Sequence, residues 1–175
     1  MRKTTSEALH KYMKQKQLNA TKCGSIKESS NGNGSLMRIL SIAFYCYKHI
    51  DNNDDILEIV RNTSSITHAH EISNMGYYIY VQYVINLLKG QSKEKSYQII
   101  QNLDHSIFQY NTQKTYEWII NKNIFKCKKD EIKSTGYVVS SLEASLWCLL
   151  TNNNLKDTIL TAVNLGDDTD TIGAI

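Results

Sequence analysis

The sequence predicts an all-α fold: one multi-helical domain spanning residues 1–175. Three observations carry this. Proline is absent from all 175 residues, and only eight glycines punctuate the chain, which leaves long stretches open to helix. Apolar residues recur at helical spacing along most of the length. Sustained period-two alternation is missing, and the Asn-Gly pairs that suit hairpin turns are not flanked by strand-like runs. Taken in order, Ala8, Leu9, Tyr12 and Met13 form the stripe of a first helix. Leu36, Ile39, Leu40, Ala43, Phe44 and Tyr47 form the clearest stripe, and Tyr77, Val81, Val84 and Leu88 follow a seven-residue rhythm. Three more stripes close the series: Tyr116, Ile119, Ile120 and Ile124, then Val139, Leu142, Leu146 and Leu149, then Leu155, Ile159, Ala162 and Val163. Polar clusters at 22–34, 51–54, 62–65, 90–94, 126–133 and 151–154 mark the boundaries between helices. None is long or biased enough to be an interdomain linker, and no internal repeat is present.

Composition narrows the function. With 41% hydrophobic and 21% charged residues the chain has apolar mass for one core. No run approaches the roughly 18–20 apolar residues of a membrane span, and Met1-Arg2-Lys3-Thr4 leads into polar residues instead of a signal-peptide core. The expectation is a cytoplasmic monomer without membrane association. Cys23, Cys46, Cys127 and Cys148 lie far apart with no C-x-x-C pair, so reduced thiols are expected. The net charge of +3 and a pI near 8.6 fall short of a dedicated nucleic-acid domain. Distribution is more telling: the front carries Arg2, Lys3, Lys11, Lys14, Lys16, Lys22 and Lys27, whereas the tail gathers Asp157, Asp167, Asp168 and Asp170. The lysines read as solvated helix faces. The aspartates at 167, 168 and 170 repel one another unless a cation sits between them.

Four segments are candidates for chemistry. In the tail, a helix ending near Leu165 with Gly166 as its stop gives way to an acidic loop, and a new helix opens around Thr171. Carboxylates at 168 and 170 with hydroxyls at 169 and 171 are hard donors suited to Mg²⁺, Mn²⁺ or Ca²⁺. An EF-hand is excluded by Ile172 at a ligand position, and a D-x-D-x-T phosphatase loop needs Thr there. Helix capping explains one acid but not the cluster. The second segment, Asn31-Gly32-Asn33-Gly34-Ser35-Leu36-Met37-Arg38, runs into the strongest helical stripe. Its backbone amides suit a phosphate or pyrophosphate, and a plain Ser or Asn cap explains it as well. Arg38, one turn from Gly34, either faces the same ligand or pairs internally. In the third, Ser65 to Glu71, His68 and His70 are two apart and make a poor metal pair; capping or surface roles fit them. In the fourth, Gly136-Tyr137-Val138-Val139, Tyr137 is a core or rim aromatic able to stack on a ring.

In this order the segments resemble the ADP-ribosylglycohydrolase family, of the dinitrogenase reductase-activating glycohydrolase and ADP-ribosyl-acceptor hydrolase type. Gly166-Asp167-Asp168-Thr169-Asp170-Thr171-Ile172-Gly173-Ala174-Ile175 is similar to the family's G-G-D-T-D-T-I-G-A-I. Gly32-Asn33-Gly34-Ser35-Leu36-Met37-Arg38 resembles G-N-G-x-x-M-R, Thr67-His68 resembles T-H, and Gly136-Tyr137-Val138 resembles G-Y-V. The resemblance implies an all-α fold, a binuclear Mg²⁺ or Mn²⁺ centre and hydrolysis of an ADP-ribose glycosidic bond, with ADP-ribose or an ADP-ribosylated protein or small molecule as partner. It further implies Asp168, Asp170 and Thr171 as metal ligands, and Asn33, Gly34, Ser35, Arg38, His68 and Tyr137 in or around the substrate cleft.

The departures are specific. Asp167 stands where the family usually has a second Gly, and Ser41 and Ala69 stand where it often has Pro. The family's upstream G-D-x-x-G and S-D-D-T motifs, which supply further metal ligands and the catalytic carboxylate, have no match here. That leaves the catalytic residue unassigned. The resemblance therefore implies a domain truncated at both ends, which alone binds ADP-ribose and Mg²⁺ weakly and turns over little or nothing. Two rival expectations stand beside it: a non-enzymatic, crystallin-like binding relative, and a hydrolase of a small ADP-ribose derivative such as O-acetyl-ADP-ribose or an ADP-ribosylated nucleobase.

Overall fold

A computed structural model describes residues 3–15 and 18–175. Among them the chain is all-α. Ten α-helices run α1 (Lys3–Lys14), α2 (Leu40–His49), α3 (Asn53–Ser65), α4 (Glu71–Leu88), α5 (Lys93–Gln101), α6 (Tyr110–Thr115), α7 (Glu117–Ile120), α8 (Val138–Thr151), α9 (Leu155–Val163) and α10 (Thr169–Ala174). No helix among the described residues is long and apolar enough to cross a membrane.

The 18-residue α4 is the axis of the bundle, with α2, α3, α5 and α8 packed around it. After Glu71 it has no charged residue, so it can be buried on every side. Its tyrosines keep their polar ends satisfied: Tyr77 donates to Gly32 O at 3.3 Å, Tyr80 to Ile175 O at 3.2 Å and Tyr83 to Lys93 O at 3.2 Å. From outside, Tyr116 lies fully buried against the notch at Gly76 and donates to Ile72 O at 2.7 Å. Helix starts carry side-chain caps: Asn52 on Asp54 N, His70 on Ile72 N, Ser92 on Lys95 N and Asn154 on Asp157 N.

Four details depart from the sequence reading. The α2 segment buries Leu36, Ile39, Ala43 and Cys46, while Leu40, Phe44 and Tyr47 of the expected stripe are exposed along with Met37. A helix apolar on two faces has two overlapping stripes, and periodicity alone does not say which meets the core. The 62–65 cluster forms the last turn of α3, which ends at Ser65, so the boundary falls at the end of the cluster. There Val60 and Ser64 are buried, and the Ser64 hydroxyl donates to His68 O at 2.5 Å. The Tyr116–Ile124 stripe breaks into α7 and a 3-10 turn at Ile124–Lys126. Only Ala8 of the first stripe is buried; Leu9, Tyr12 and Met13 are exposed.

Glu143 on α8 gives the fold a pH dependence. Burial pushes its carboxyl up to about 7, against the opposing pull of Lys133, and Tyr97, Tyr116, Cys127 and Tyr137 feel its charge. A folded value above the unfolded one means that the native state binds the extra proton. Stability is then fully present below pH about 4.5 and lost as pH rises through about 7. The loss is at most about 3 kcal/mol. Glu143→Gln should flatten melting temperature against pH over this window and stabilise the protein at pH 8, measured by thermal denaturation.

Candidate active site

Three segments distant in sequence meet beside α4 and α8. Gly32 and Tyr137 form an isolated antiparallel bridge, with Asn33 N donating to Gly136 O and Val138 N to Asn31 O, both at 3.0 Å. Asp168 N donates to Ser134 O at 3.0 Å, bringing the acidic loop onto the same strip of backbone. The Asn31 side chain ties the first segment to the start of α4: its Nδ2 lies 3.0 Å from His70 Nδ1, and its Oδ1 accepts from Ser73 Oγ at 2.8 Å.

The acidic loop turns through two left-handed residues, Gly166 at φ 89° and Asp167 at φ 58°. The helix before it stops at Val163, two residues ahead of the expected end, and Gly166 supplies the turn as the sequence implied. At Asp167 the departure from the resembling motif acquires a physical meaning, because a left-handed position suits glycine and costs a side chain on the order of 1 kcal/mol. Asp167→Gly should raise stability by about that amount in chemical denaturation.

Beyond the turn, Asp168 is held at both oxygens. Its Oδ1 accepts from Thr171 Oγ1 at 2.8 Å and its Oδ2 from Asn33 Nδ2 at 2.7 Å. Gly136 makes room, since a Cβ there would stand 3.3 Å from Asp168 Oδ2. Asp170 is exposed and its Oδ1 accepts from Thr171 N at 2.9 Å; Thr171 is buried. The structure thus brings Asn33, Asp168 and Thr171 into direct contact. Among the described residues no three His, Cys, Asp or Glu side chains converge as a metal cluster. The donor chemistry nevertheless fits part of a shell for a hard cation: carboxylate and hydroxyl oxygens on one short stretch, against the six that Mg²⁺ requires. Asn33 Oδ1, buried and without a hydrogen-bond partner, is one more oxygen at this junction.

Arg38, Thr67 and His68 form a second knot behind the first loop. Arg38 Nη1 donates to Gly34 O at 2.6 Å and Nη2 to Thr67 Oγ1 at 2.7 Å. The Thr67 hydroxyl lies 2.8 Å from His68 Nδ1. The Thr67 hydroxyl thus links the Arg38 guanidinium to the His68 ring. His68 is only 2% exposed. Arg38 and His68 therefore brace the loop from behind, and Ser35 is buried beneath it at 1%. The knot is pinned from the far side by Gly24, whose N donates to Ser65 O at 2.8 Å and whose lack of a Cβ lets the 65–68 backbone approach. Tyr137, 37% exposed, sits at the rim, its hydroxyl pKa raised by partial burial.

One residue of the junction escaped the sequence reading. Ser141 is fully buried, accepts from Asn33 Nδ2 at 2.6 Å and donates to Thr135 O at 3.0 Å. Its signal was positional: it lies one helical turn beyond Tyr137, which the resemblance implies in or around the cleft.

The all-α bundle thus clamps a glycine-bearing loop against an aspartate-rich turn. The family model described as ADP-ribosylglycohydrolase matches residues 1–175, and the chain belongs to that family. It is 30% identical over 174 residues to the ADP-ribosylarginine hydrolase Tri1 of Serratia proteamaculans (strain 568), covering 98% of this chain and 43% of that protein. It is 31% identical over 152 residues to Tri1 of Pseudomonas putida (strain GB-1), covering 86% of this chain and 38% of the relative. The chain thus spans about two fifths of the length of these curated relatives. A solved structure titled ADP-ribosylglycohydrolase-related protein complex superposes with a TM-score of 0.79 at 22% identity, over 99% of this chain and 55% of that one, and shows the shared fold.

Proposed function

We propose that this chain serves the hydrolysis of the glycosidic bond joining ADP-ribose to an acceptor, with an arginine side chain as the acceptor that the name of the two relatives favours. The observation that carries the reading is the contact of Asn33 with Asp168, which joins the glycine-bearing loop to the acidic turn in one place. In this reading residues 1–175 act as one domain. Asp168, Asp170 and Thr171 hold Mg²⁺ or Mn²⁺. When bound, such an ion polarises a water and stabilises charge developing at the anomeric carbon.

The remaining roles belong to the chain's own groups. The backbone amides of Gly34 and Ser35 cradle the pyrophosphate, while that of Asn33 is engaged by Gly136 O. Arg38 and His68, through Thr67, hold that loop in place, and the positive charge of Arg38 adds to the attraction for the anion. Tyr137 at the rim offers a ring face for the adenine. Asn33 and Thr171 fix the plane of the Asp168 carboxylate.

The rival reading, in which the chain by itself binds ADP-ribose without cleaving its conjugates, uses the same cleft. Calorimetric titration of ADP-ribose with and without Mn²⁺, run beside an assay of arginine release from ADP-ribosylarginine, separates the two. Metal-enhanced binding with little turnover is expected of this chain alone. No binding at all would overturn both readings, and full activity would mean that the reacting groups lie elsewhere on the chain.

A further inference from the structure

We infer that Ser141 is a positioning residue for Asp168, acting through Asn33 by dictating which end of the Asn33 amide faces the carboxylate. The inference rests on the proposed role of Asp168 for its functional meaning and on hydrogen counting for its geometry. The Ser141 hydroxyl has one hydrogen, and it goes to Thr135 O at 3.0 Å. Toward Asn33 the oxygen of Ser141 can then only accept, and it does so from Nδ2 at 2.6 Å. The second hydrogen of the same NH₂ group goes to Asp168 Oδ2 at 2.7 Å. Turning the amide over would set Asn33 Oδ1 against two acceptors, the Ser141 oxygen and the Asp168 carboxylate. As it stands Oδ1 is buried without a hydrogen-bond partner, and the turn would supply none while costing Nδ2 both of its acceptors. Ser141 holds the amide against that turn, and the held amide fixes one oxygen of Asp168 while Thr171 fixes the other.

The rest of α8 leaves Ser141 little freedom to do otherwise. It is fully buried, it follows Tyr137 by one turn, and Thr135 belongs to the backbone strip that also receives Asp168 N at Ser134. A residue that organises the partner of a metal-ligating carboxylate typically changes metal affinity by about 10–100-fold when removed.

The test uses the full 175-residue chain with ¹⁵N-labelled asparagine, and its first arm needs no metal. In the wild type and in Ser141→Thr, the two side-chain amide protons of Asn33, identified by their loss in Asn33→Ala, should be separated in shift and slow to exchange. In Ser141→Ala and in the near-isosteric Ser141→Cys, whose sulfur is a weak acceptor, that protection should fall by about tenfold or more in protein that still melts cooperatively. Unchanged Asn33 amide protons in either variant would overturn the inference. The second arm measures Mn²⁺ affinity by electron paramagnetic resonance, with a drop of about tenfold expected for Ser141→Ala and rescue by Ser141→Thr. Equal Mn²⁺ affinity in wild type and Ser141→Ala would also count against it. A wild type that takes up no Mn²⁺ while its amide protons behave as expected would overturn the cation reading of Asp168 and leave the hydrogen-bond assignment of Ser141 standing.

Discussion

Replacing Gly76 with alanine should cost the fold about 3 kcal/mol or more, a drop of roughly 6–12 °C in melting temperature for a domain of this size. The new Cβ would stand 2.3 Å from the Tyr116 hydroxyl, 3.1 Å from Tyr116 Cζ and 3.4 Å from Val138 Cγ2. The obstacle is a phenol with no exposure, anchored to Ile72 O at 2.7 Å, so it has nowhere to swing. Alanine gains about 1 kcal/mol over glycine as a helix former, which the clash outweighs. Adding Tyr116→Phe removes the atom that is closest and should recover part of the loss. A double variant no better than Gly76→Ala would show that the strain lies elsewhere. Thermal and denaturant unfolding of the two variants decide the matter.

The second large effect concerns Asp168. Asp168→Asn keeps the shape and removes the charge, so on the proposed function Mn²⁺ affinity should fall by roughly 100-fold or more, beyond the effect of a supporting residue. Fold stability should fall by about 1–3 kcal/mol, since Thr171 Oγ1 can still donate to the amide oxygen but the new NH₂ then meets Asn33 Nδ2, another donor. Direct Mn²⁺ titration followed by electron paramagnetic resonance reads the first quantity and thermal unfolding the second. Retained affinity in Asp168→Asn would remove this aspartate from the ligand set.

Much of the fold was legible because its strongest segments are buried in a patterned way. α4 carries no charge after Glu71 and α8 carries only Glu143, and the apolar residues of both recur at helical spacing. No stripe is read over 53–61 from the sequence, and the last turn of α3 reads as a boundary because Asn62-Thr63-Ser64-Ser65 has that composition. Only the packing of Val60 and Ser64 extends the helix through it, and packing is a tertiary fact. The exposure of Phe44 and Tyr47 has the same origin: both apolar faces of α2 satisfy the same period.

The site was legible to a different degree. Asp168 and Asn33 were found as members of short motifs, each ambiguous alone, and their contact is a consequence of topology that no local pattern contains. Arg38 and His68 were placed in or around the cleft by the resemblance alone; the structure bonds Arg38 to Gly34 O and Thr67 Oγ1 and buries His68 beside Thr67. Ser141 carried no compositional signal at all, because a serine in an apolar helix looks like filler until its single hydrogen is traced.

The contact between Asn33 and Asp168 joins residues 135 positions apart. Closing so long a loop is entropically expensive and is recovered only when the intervening chain is already in order. Local helices such as α4 and α8 therefore form early in refolding, and the Asn33–Asp168 clasp comes late. An intermediate rich in helix signal would still lack this junction, so protection of the Asn33 side chain reports completed folding where circular dichroism reports only its first stage.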